Sequence, residues 1–552
     1  MSSIVQDRRS GPAFDFLSKE RSTAGPGFNR WLVPPAALAI HLCIGMAYGF
    51  SVFWLPLSKA VGITDPRTCA AGTTVLAELF VTDCDWKVST LGWMYTLFFV
   101  FLGSSAAVFG GWLERAGPRM AGLVSMLCWC GGMLIAAYGI HIHQFWLMLL
   151  GSGVIGGIGL GLGYISPVST LIKWFPDRRG MATGMAIMGF GGGAMIGSPL
   201  AQRLMTAFAS PTSIGVAETF VVLALVYALF MTAGALAYRV PASGWTPPGW
   251  APAAASGHAM ISAGHVHLDN AHKTPQFWLV WAVLCLNVTA GIGVIGMASP
   301  MLQEVFGGRL IGVDGAFGTL DAAQAAQIAA IAAGFTGLLS LFNIGGRFFW
   351  ASMSDRLGRK ATYAIFFLLG AALYASVPSS GHAGSVGLFV GAFCLILSMY
   401  GGGFATVPAY LADLFGTRFV GAIHGRLLTA WSVAGIFGPV IVNYLREIQL
   451  RQGVAPSRVY DTTMLILAAL LVVGFLCNLL IRPVAPKWHL TPAEMTDAGK
   501  MTPETALGST PPAAVPAAAS PVGLVLIAWL AVGIPLAWGV AQTVAKAAIL
   551  FR

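Results

Sequence analysis

The sequence predicts an all-α polytopic membrane protein: two six-helix bundles, twelve spans in all, plus one extra C-terminal span. Three observations carry this. Of 552 residues, 56% are hydrophobic and only 9% charged, against about 25% charged in an ordinary soluble domain. Apolar stretches recur at about the 20-residue length that crosses a bilayer. A set of charged, proline and glycine positions in the first half also returns in the second at one constant offset. The 69 glycines fit the same class, because small residues let membrane helices approach closely.

Residues 1–30 form a polar tail on the cytoplasmic side. They lack an apolar stretch ahead of a cleavage site, so no signal peptide is expected. The first bundle, 31–239, reads as spans 31–57, 89–113, 120–140, 145–173, 181–208 and 216–239, each bounded by charged or turn residues. Residues 240–275 link the bundles on the cytoplasmic side. The second bundle, 276–481, reads as 276–304, 325–353, 361–378, 386–412, 420–445 and 461–481. A Pro/Ala/Thr-rich flexible linker, 482–520, leads to the segment 521–552, whose span covers 521–550 and contains Pro535.

Basic residues set the orientation. With the N-terminus inside, cytoplasmic segments hold about nineteen Lys and Arg and outside segments about nine, the bias expected of inner loops. The N-terminus is thus expected in the cytoplasm and the C-terminus in the periplasm of a bacterial inner membrane. The net charge of +10 follows from this orientation, and with no interleaved basic and aromatic surface it points to no nucleic acid. Six cysteines lie in apolar spans as small hydrophobes. Cys69 and Cys84 lie in the long first outside loop, which faces an oxidising compartment. A disulfide between them is expected, worth about 3 kcal/mol in the chain-entropy view.

The offset is 241 residues. It pairs Glu114 with Asp355, Arg115 with Arg356, Gly117 with Gly358 and Arg119 with Lys360. It also pairs Pro167 with Pro408, Gly161 with Gly402, Gly180 with Gly421, Gly184 with Gly425 and Gly197 with Gly438. Two related halves of equal orientation build carriers with the site at the repeat interface. In WLERAGPRM and SMSDRLGRK a carboxylate, a turn glycine and basic residues sit on the cytoplasmic face. Glu114, Arg115, Arg119, Asp355, Arg356, Arg359 and Lys360 are therefore candidates for ion pairs that join the halves in one state; the alternative is a cluster that only fixes topology. On the first reading, Arg356→Ala slows exchange and spares affinity.

The repeated loops, the twelve spans and the strings SVFWLPL, KWFPDRRGMATG, FNIGGRFFWASMSDRLGRK, YGGGFATVPAYLADLFGT and TAWSVAGIFGP resemble the major facilitator superfamily. Within it they resemble the oxalate:formate antiporter family, related to monocarboxylate transporters. The likeness spans about 31–481 and implies transport of small carboxylates by alternating access. The C-terminal segment resembles single-helix subunits that accompany some members.

Arg347 decides the candidate site. A guanidinium at the centre of a membrane helix costs roughly 2.5–3.5 kcal/mol, so it is kept where it faces a polar cavity and meets an anion. Asn343, four residues earlier, shares its helix face and is expected to add a donor beside the arginine's two parallel hydrogen bonds. The alternative is an arginine snorkelling to the cytoplasmic surface. The resemblance places Tyr48, Tyr164, Tyr400 and Trp431 near the substrate as well, with helix packing as the competing explanation for each. Oxalate carriers have a lysine where Trp431 falls, and one cation best balances one negative charge. A formate- or lactate-type monocarboxylate is therefore expected, with oxalate/formate exchange as the second reading. If protons are co-transported, His424 and Asp413 are the candidate coupling groups; His41 reads as structural.

A GxGxxG match at Gly151–Gly156 lies inside an apolar helix and follows no strand, so it predicts helix contact, not dinucleotide binding. No metal or cofactor motif appears, and neither a catalytic constellation nor a signalling domain supports a membrane enzyme or a sensor. The expected partners are a small carboxylate, the lipid bilayer and protons if coupling occurs, in a monomer or weak oligomer.

Overall fold

The computed structural model describes residues 15–548, except 63–66, 68, 71–72, 243–244, 250–259, 263, 492–493 and 495–519. The expected linker at 482–520 therefore lies mostly outside the described residues. Among the described residues there are thirteen long helices and no strand. We label them α1 (Val33–Ile44, continued as a 3-10 stretch Gly45–Phe53), α2 (Val88–Ala116), α3 (Pro118–His141) and α4 (Phe145–Trp174). Next come α5 (Arg179–Phe208), α6 (Val216–Ala237), α7 (Pro275–Phe306) and α8 (Ala322–Leu357). The last are α9 (Arg359–His382), α10 (Val386–Phe415), α11 (Val420–Arg451), α12 (Asp461–Leu480) and α13 (Val522–Ala547).

Twelve helices are long and apolar enough to cross a membrane. The Arg347 helix, α8, is not among them, although its 36 residues make it the longest. Its start is fixed by a capping box: the Asp321 side chain accepts from Gln324 N while the Gln324 side chain accepts from Asp321 N. Both α8 and α10 run past the expected ends at 353 and 412.

The two halves repeat their packing. Within the first, α3 lies on α6, α1 on α5 and α2 on α4; within the second, α9 lies on α12, α7 on α11 and α8 on α10. Between them, α5 meets α8 and α2 meets α11, two contacts that exchange under the 241-residue shift. Gly117 and Gly358 end α2 and α8 at φ 86° and 83°, where a Cβ would be strained. The glycine run in α4 includes a π-helical stretch, Leu149–Gly156, against α3. A Cβ on Gly151 would lie 2.6 Å from the Gly132 carbonyl oxygen, so the run serves helix contact.

On the outside, Cys69 and Cys84 form a disulfide. The neighbouring Asp85 carboxylate accepts from Val61, Gly62 and Arg67 N at 2.8, 3.0 and 2.8 Å. His143 stacks on Trp86, ring centroids 4.1 Å apart, and its Nε2 donates to the Cys84 carbonyl at 2.8 Å. Burial lowers the His143 pKa below its usual value, so docking favours the neutral ring. Docking is therefore complete above about pH 6.5 and is lost as pH falls through the lowered value. The exchange protection of residues 79–86, corrected for the intrinsic pH dependence of exchange, should fall on acidification, and His143→Gln should weaken that fall.

Candidate functional site

α8 carries its arginine into the seam between the halves. Arg347 is fully buried at 0% exposure. Its Nε donates to Asn343 Oδ1 at 2.9 Å and its Nη1 to the Ile187 carbonyl of α5 at 3.2 Å. Its Nη2 has no partner, and no carboxylate pairs with it among the described residues. The guanidinium does not snorkel. It lies between the Phe190 and Phe404 rings, 5.9 and 5.4 Å from their centroids, where cation–π attraction partly replaces water. Asn343 uses its amide oxygen toward Arg347. It holds the arginine in place through its amide oxygen, and it also lines the narrow space beside Tyr48.

The aromatic residues converge here. Tyr48 and Tyr400, one from each half, share a hydrogen bond at 3.0 Å. Tyr48 and Tyr164 both interact electrostatically with Arg347, yet the Tyr164 hydroxyl has no partner of hydrogen-bond geometry. Trp431 is fully buried, 4.2 Å from Phe404, 5.2 Å from Tyr164 and 5.5 Å from Phe190 by ring centroid, and its Nε1 is unpartnered. On the outer side, Tyr48, Asn343, Thr336 and Ser340 line a narrow space of about 10 Å³, room for about one water. One guanidinium arm, one phenol and one indole N–H are thus buried in one neighbourhood without partners, although such groups normally find them.

His41 holds the wall together. Its two ring nitrogens face the Ala186 carbonyl of α5 and, at 3.2 Å, the Tyr164 carbonyl of α4. His424 lies near the same group, 6.1 Å from the Tyr164 ring, with Nε2 unpartnered. Asp413 is elsewhere. It pairs with Arg359 at 3.0 Å, so the structure moves it from the coupling group to the cytoplasmic charge cluster. Arg426 also faces away from the site, toward Asp269 and the Leu268 carbonyl of the linker at 3.0 and 2.9 Å.

The cytoplasmic loops divide into three sets. Asp355 accepts from Gly180 and Met181 N at 3.1 and 3.3 Å, capping α5 of the opposite half, and Arg359 braces it at 2.7 Å. The repeat-related Glu114 lies against Gly421 at the start of α11 and pairs with Lys173 at 2.9 Å. Arg119 and Lys360 do not bridge the halves. Arg119 donates to the Tyr238 and Phe16 carbonyls at 3.2 and 3.1 Å, Lys360 to the Leu479 and Ile481 carbonyls at 2.7 and 2.9 Å. Each closes the C-terminal end of its own half's last helix. Arg115 and Arg356 are exposed and make no ion pair among the described residues, so in this conformation Arg356 does not join the halves.

Sequence reasoning missed Phe190, Phe404 and Phe99. Each is one phenylalanine among 33, and only the rotation of its helix aims it at Trp431 or Arg347. Ile187 contributes a carbonyl and leaves no side-chain signal.

The profile of the Major Facilitator Superfamily matches residues 38–439, and again 323–545. The chain belongs to the Major Facilitator Superfamily. It is therefore an integral membrane protein of a transporter fold. The oxalate:formate antiporter of Oxalobacter formigenes is 24% identical over 412 residues, 74% of this chain and 83% of that protein. Apicoplast pyruvate carrier 1 of Toxoplasma gondii is 25% identical over 518 residues, 82% and 88% of the two chains. Among solved structures, the superfamily transporter FucP in its outward conformation superposes with a TM-score of 0.53 at 14% identity, over 82% of this chain and 99% of that one. That likeness concerns the fold alone.

Proposed function

We propose that this superfamily transporter is a secondary carrier of small monocarboxylates in a bacterial inner membrane, working by alternating access with Arg347 as counter-charge. The observation that carries the reading is a fully buried guanidinium whose Nη2 has no hydrogen-bond partner and which meets no carboxylate among the described residues. An unpaired buried charge is costly. A bound carboxylate supplies the missing charge and accepts from Nη2, and the Tyr164 hydroxyl and Trp431 Nε1 are the neighbouring donors. Phe190, Phe404 and Trp431 exclude water, which strengthens the attraction. The Asp355–α5 and Glu114–α11 contacts would hold the cytoplasmic side shut, parting when the halves rock.

Oxalate/formate exchange is the second reading, favoured by the antiporter's likeness over most of both chains. Against it stands Trp431 where a second cation would serve a dianion. A thermal-shift panel of formate, acetate, lactate, pyruvate and oxalate separates the two. Monocarboxylates should raise the melting temperature of the wild type and not of Arg347→Ala. Stabilisation by oxalate and formate but not by acetate, lactate or pyruvate would favour the exchanger, and stabilisation of both proteins by every acid would refute the site.

A further inference from the structure

At the depth of the guanidinium, α5 is reduced to backbone. A Cβ on Gly191 would lie 3.1 Å from Arg347 Nε, and one on Gly192 would lie 3.3 Å from both Ile344 of α8 and Leu536 of α13. A single stretch of glycine backbone thus separates the charge from the C-terminal helix. The hold on α13 is unequal between the halves. Its Trp529 Nε1 donates to the Trp31 carbonyl at 3.1 Å, and Asn29 N donates to Ser520 Oγ, just before it, at 3.1 Å. Val532 is buried with Leu38 and Ala39 of α1, Gly539 lies on Met195 and Ile196 of α5, and Arg203 covers the Trp538 ring at 5.2 Å. All of these belong to the first half or to the tail that leads into it. Toward the second half α13 meets α8, where a Cβ on Gly337 would lie 3.1 Å from the Thr543 side chain, with no hydrogen bond among the described residues. That part of α8 reads AAQAAQIAAIAAGFTG, ten of its sixteen residues alanine or glycine, and small residues let helices approach closely with few long side chains to repack.

We propose that α13 is anchored to the first half and forms the track along which α8, and Arg347 with it, slides when the halves rock. Hydrogen bonds and an aromatic–guanidinium contact fix one side, and the other side is apolar and low in relief. This rests on the family's transport cycle and not on which acid is carried.

Two cross-links test it in the full chain, in a background where the six free cysteines are replaced. Gly337→Cys with Thr543→Cys ties the track to α8, and the Thr543 Cβ lies 3.5 Å from a Cβ at 337, within disulfide reach. Ile196→Cys with Gly539→Cys ties it to the half that already holds it. Oxidising the first pair should lower uptake of labelled carboxylate into proteoliposomes at least about 10-fold, reversed by reductant, and oxidising the second should change it less than about 2-fold. If position 337 does not accept a side chain, Ile344→Cys with Leu536→Cys, joined by a short bifunctional thiol cross-linker, should give the same arrest. Unchanged uptake with α8 tied to α13, or equal arrest by both cross-links, overturns the proposal. If the wild type carries none of the acids, the monocarboxylate reading fails. The track is then judged by energy transfer between non-cysteine labels at the exposed positions 115 and 356. Two distance populations should collapse to one only when α8 is tied.

Discussion

Arg347→Ala should lower carboxylate uptake by at least about 100-fold, while the empty protein folds and melts within a few degrees of wild type. Removing one partner of a desolvated charge pair costs about 2–5 kcal/mol, and 100-fold corresponds to about 2.7 kcal/mol at the low end of that range. The fold is spared for the opposite reason. In the unliganded protein the guanidinium carries an unpaired charge with a free Nη2, so its deletion relieves a desolvation cost of about 2.5–3.5 kcal/mol. Against that stand two lost hydrogen bonds, to Asn343 and Ile187, worth about 1 kcal/mol each. Arg347→Lys is the informative companion. It keeps the charge and loses the planar fork, so it should raise KM about 10- to 100-fold with a smaller change in maximal rate. Proteoliposome uptake with a melting curve on each variant decides it. Full-rate transport by Arg347→Ala would remove the basis of the proposed function.

The spans were legible in the sequence because membrane insertion depends on local apolarity, and the repeat because it conserves charge at fixed spacing. Arg347 was legible for the same reason: a charge inside an apolar run is conspicuous on one strand of text. What the text hid depends on helix rotation and partner helices. Arg356 and Arg359 stand three residues apart in one loop, yet one points to solvent and the other joins Asp355 to Asp413. Arg119 and Lys360 read as bridging charges, and only the placement of α6 and α12 shows that they close helix ends. Asn343 was placed on the right face, but that its oxygen braces the arginine follows only from the Nε–H that it meets. The cage around Trp431 draws on five helices, which no periodicity within a single helix encodes.

The repeat leads to a second large effect, at the cytoplasmic gate. Asp355→Ala should shift the protein toward the state open to the cytoplasm by a factor of about 5 to 150, with Arg356→Ala unchanged as the control. Losing an N-cap costs about 0.5–2 kcal/mol, and losing a negative charge at a helix start a further 0.3–1 kcal/mol. The bond between Asp355 and Arg359 is partly exposed and adds little. The cap lies between halves, so its loss penalises only the state in which the halves touch, and a coupling of about 1–3 kcal/mol gives the stated factor. Asp355→Asn should fall between the two, since an amide oxygen still accepts from Gly180 N but brings no charge to the start of α5. Glu114→Ala should act in the same direction at α11, since Glu114 occupies the corresponding place beside Gly421. The measurement is the modification rate of a cysteine placed at Thr183, which is buried in the seam with its hydroxyl on the Ala405 carbonyl of the opposite half, by an impermeant thiol reagent added from the cytoplasmic side. A rate that rises in Asp355→Ala and Glu114→Ala but not in Arg356→Ala marks the two repeat-related carboxylates as the latch. Equal rates in all three would reduce the loops to topology signals.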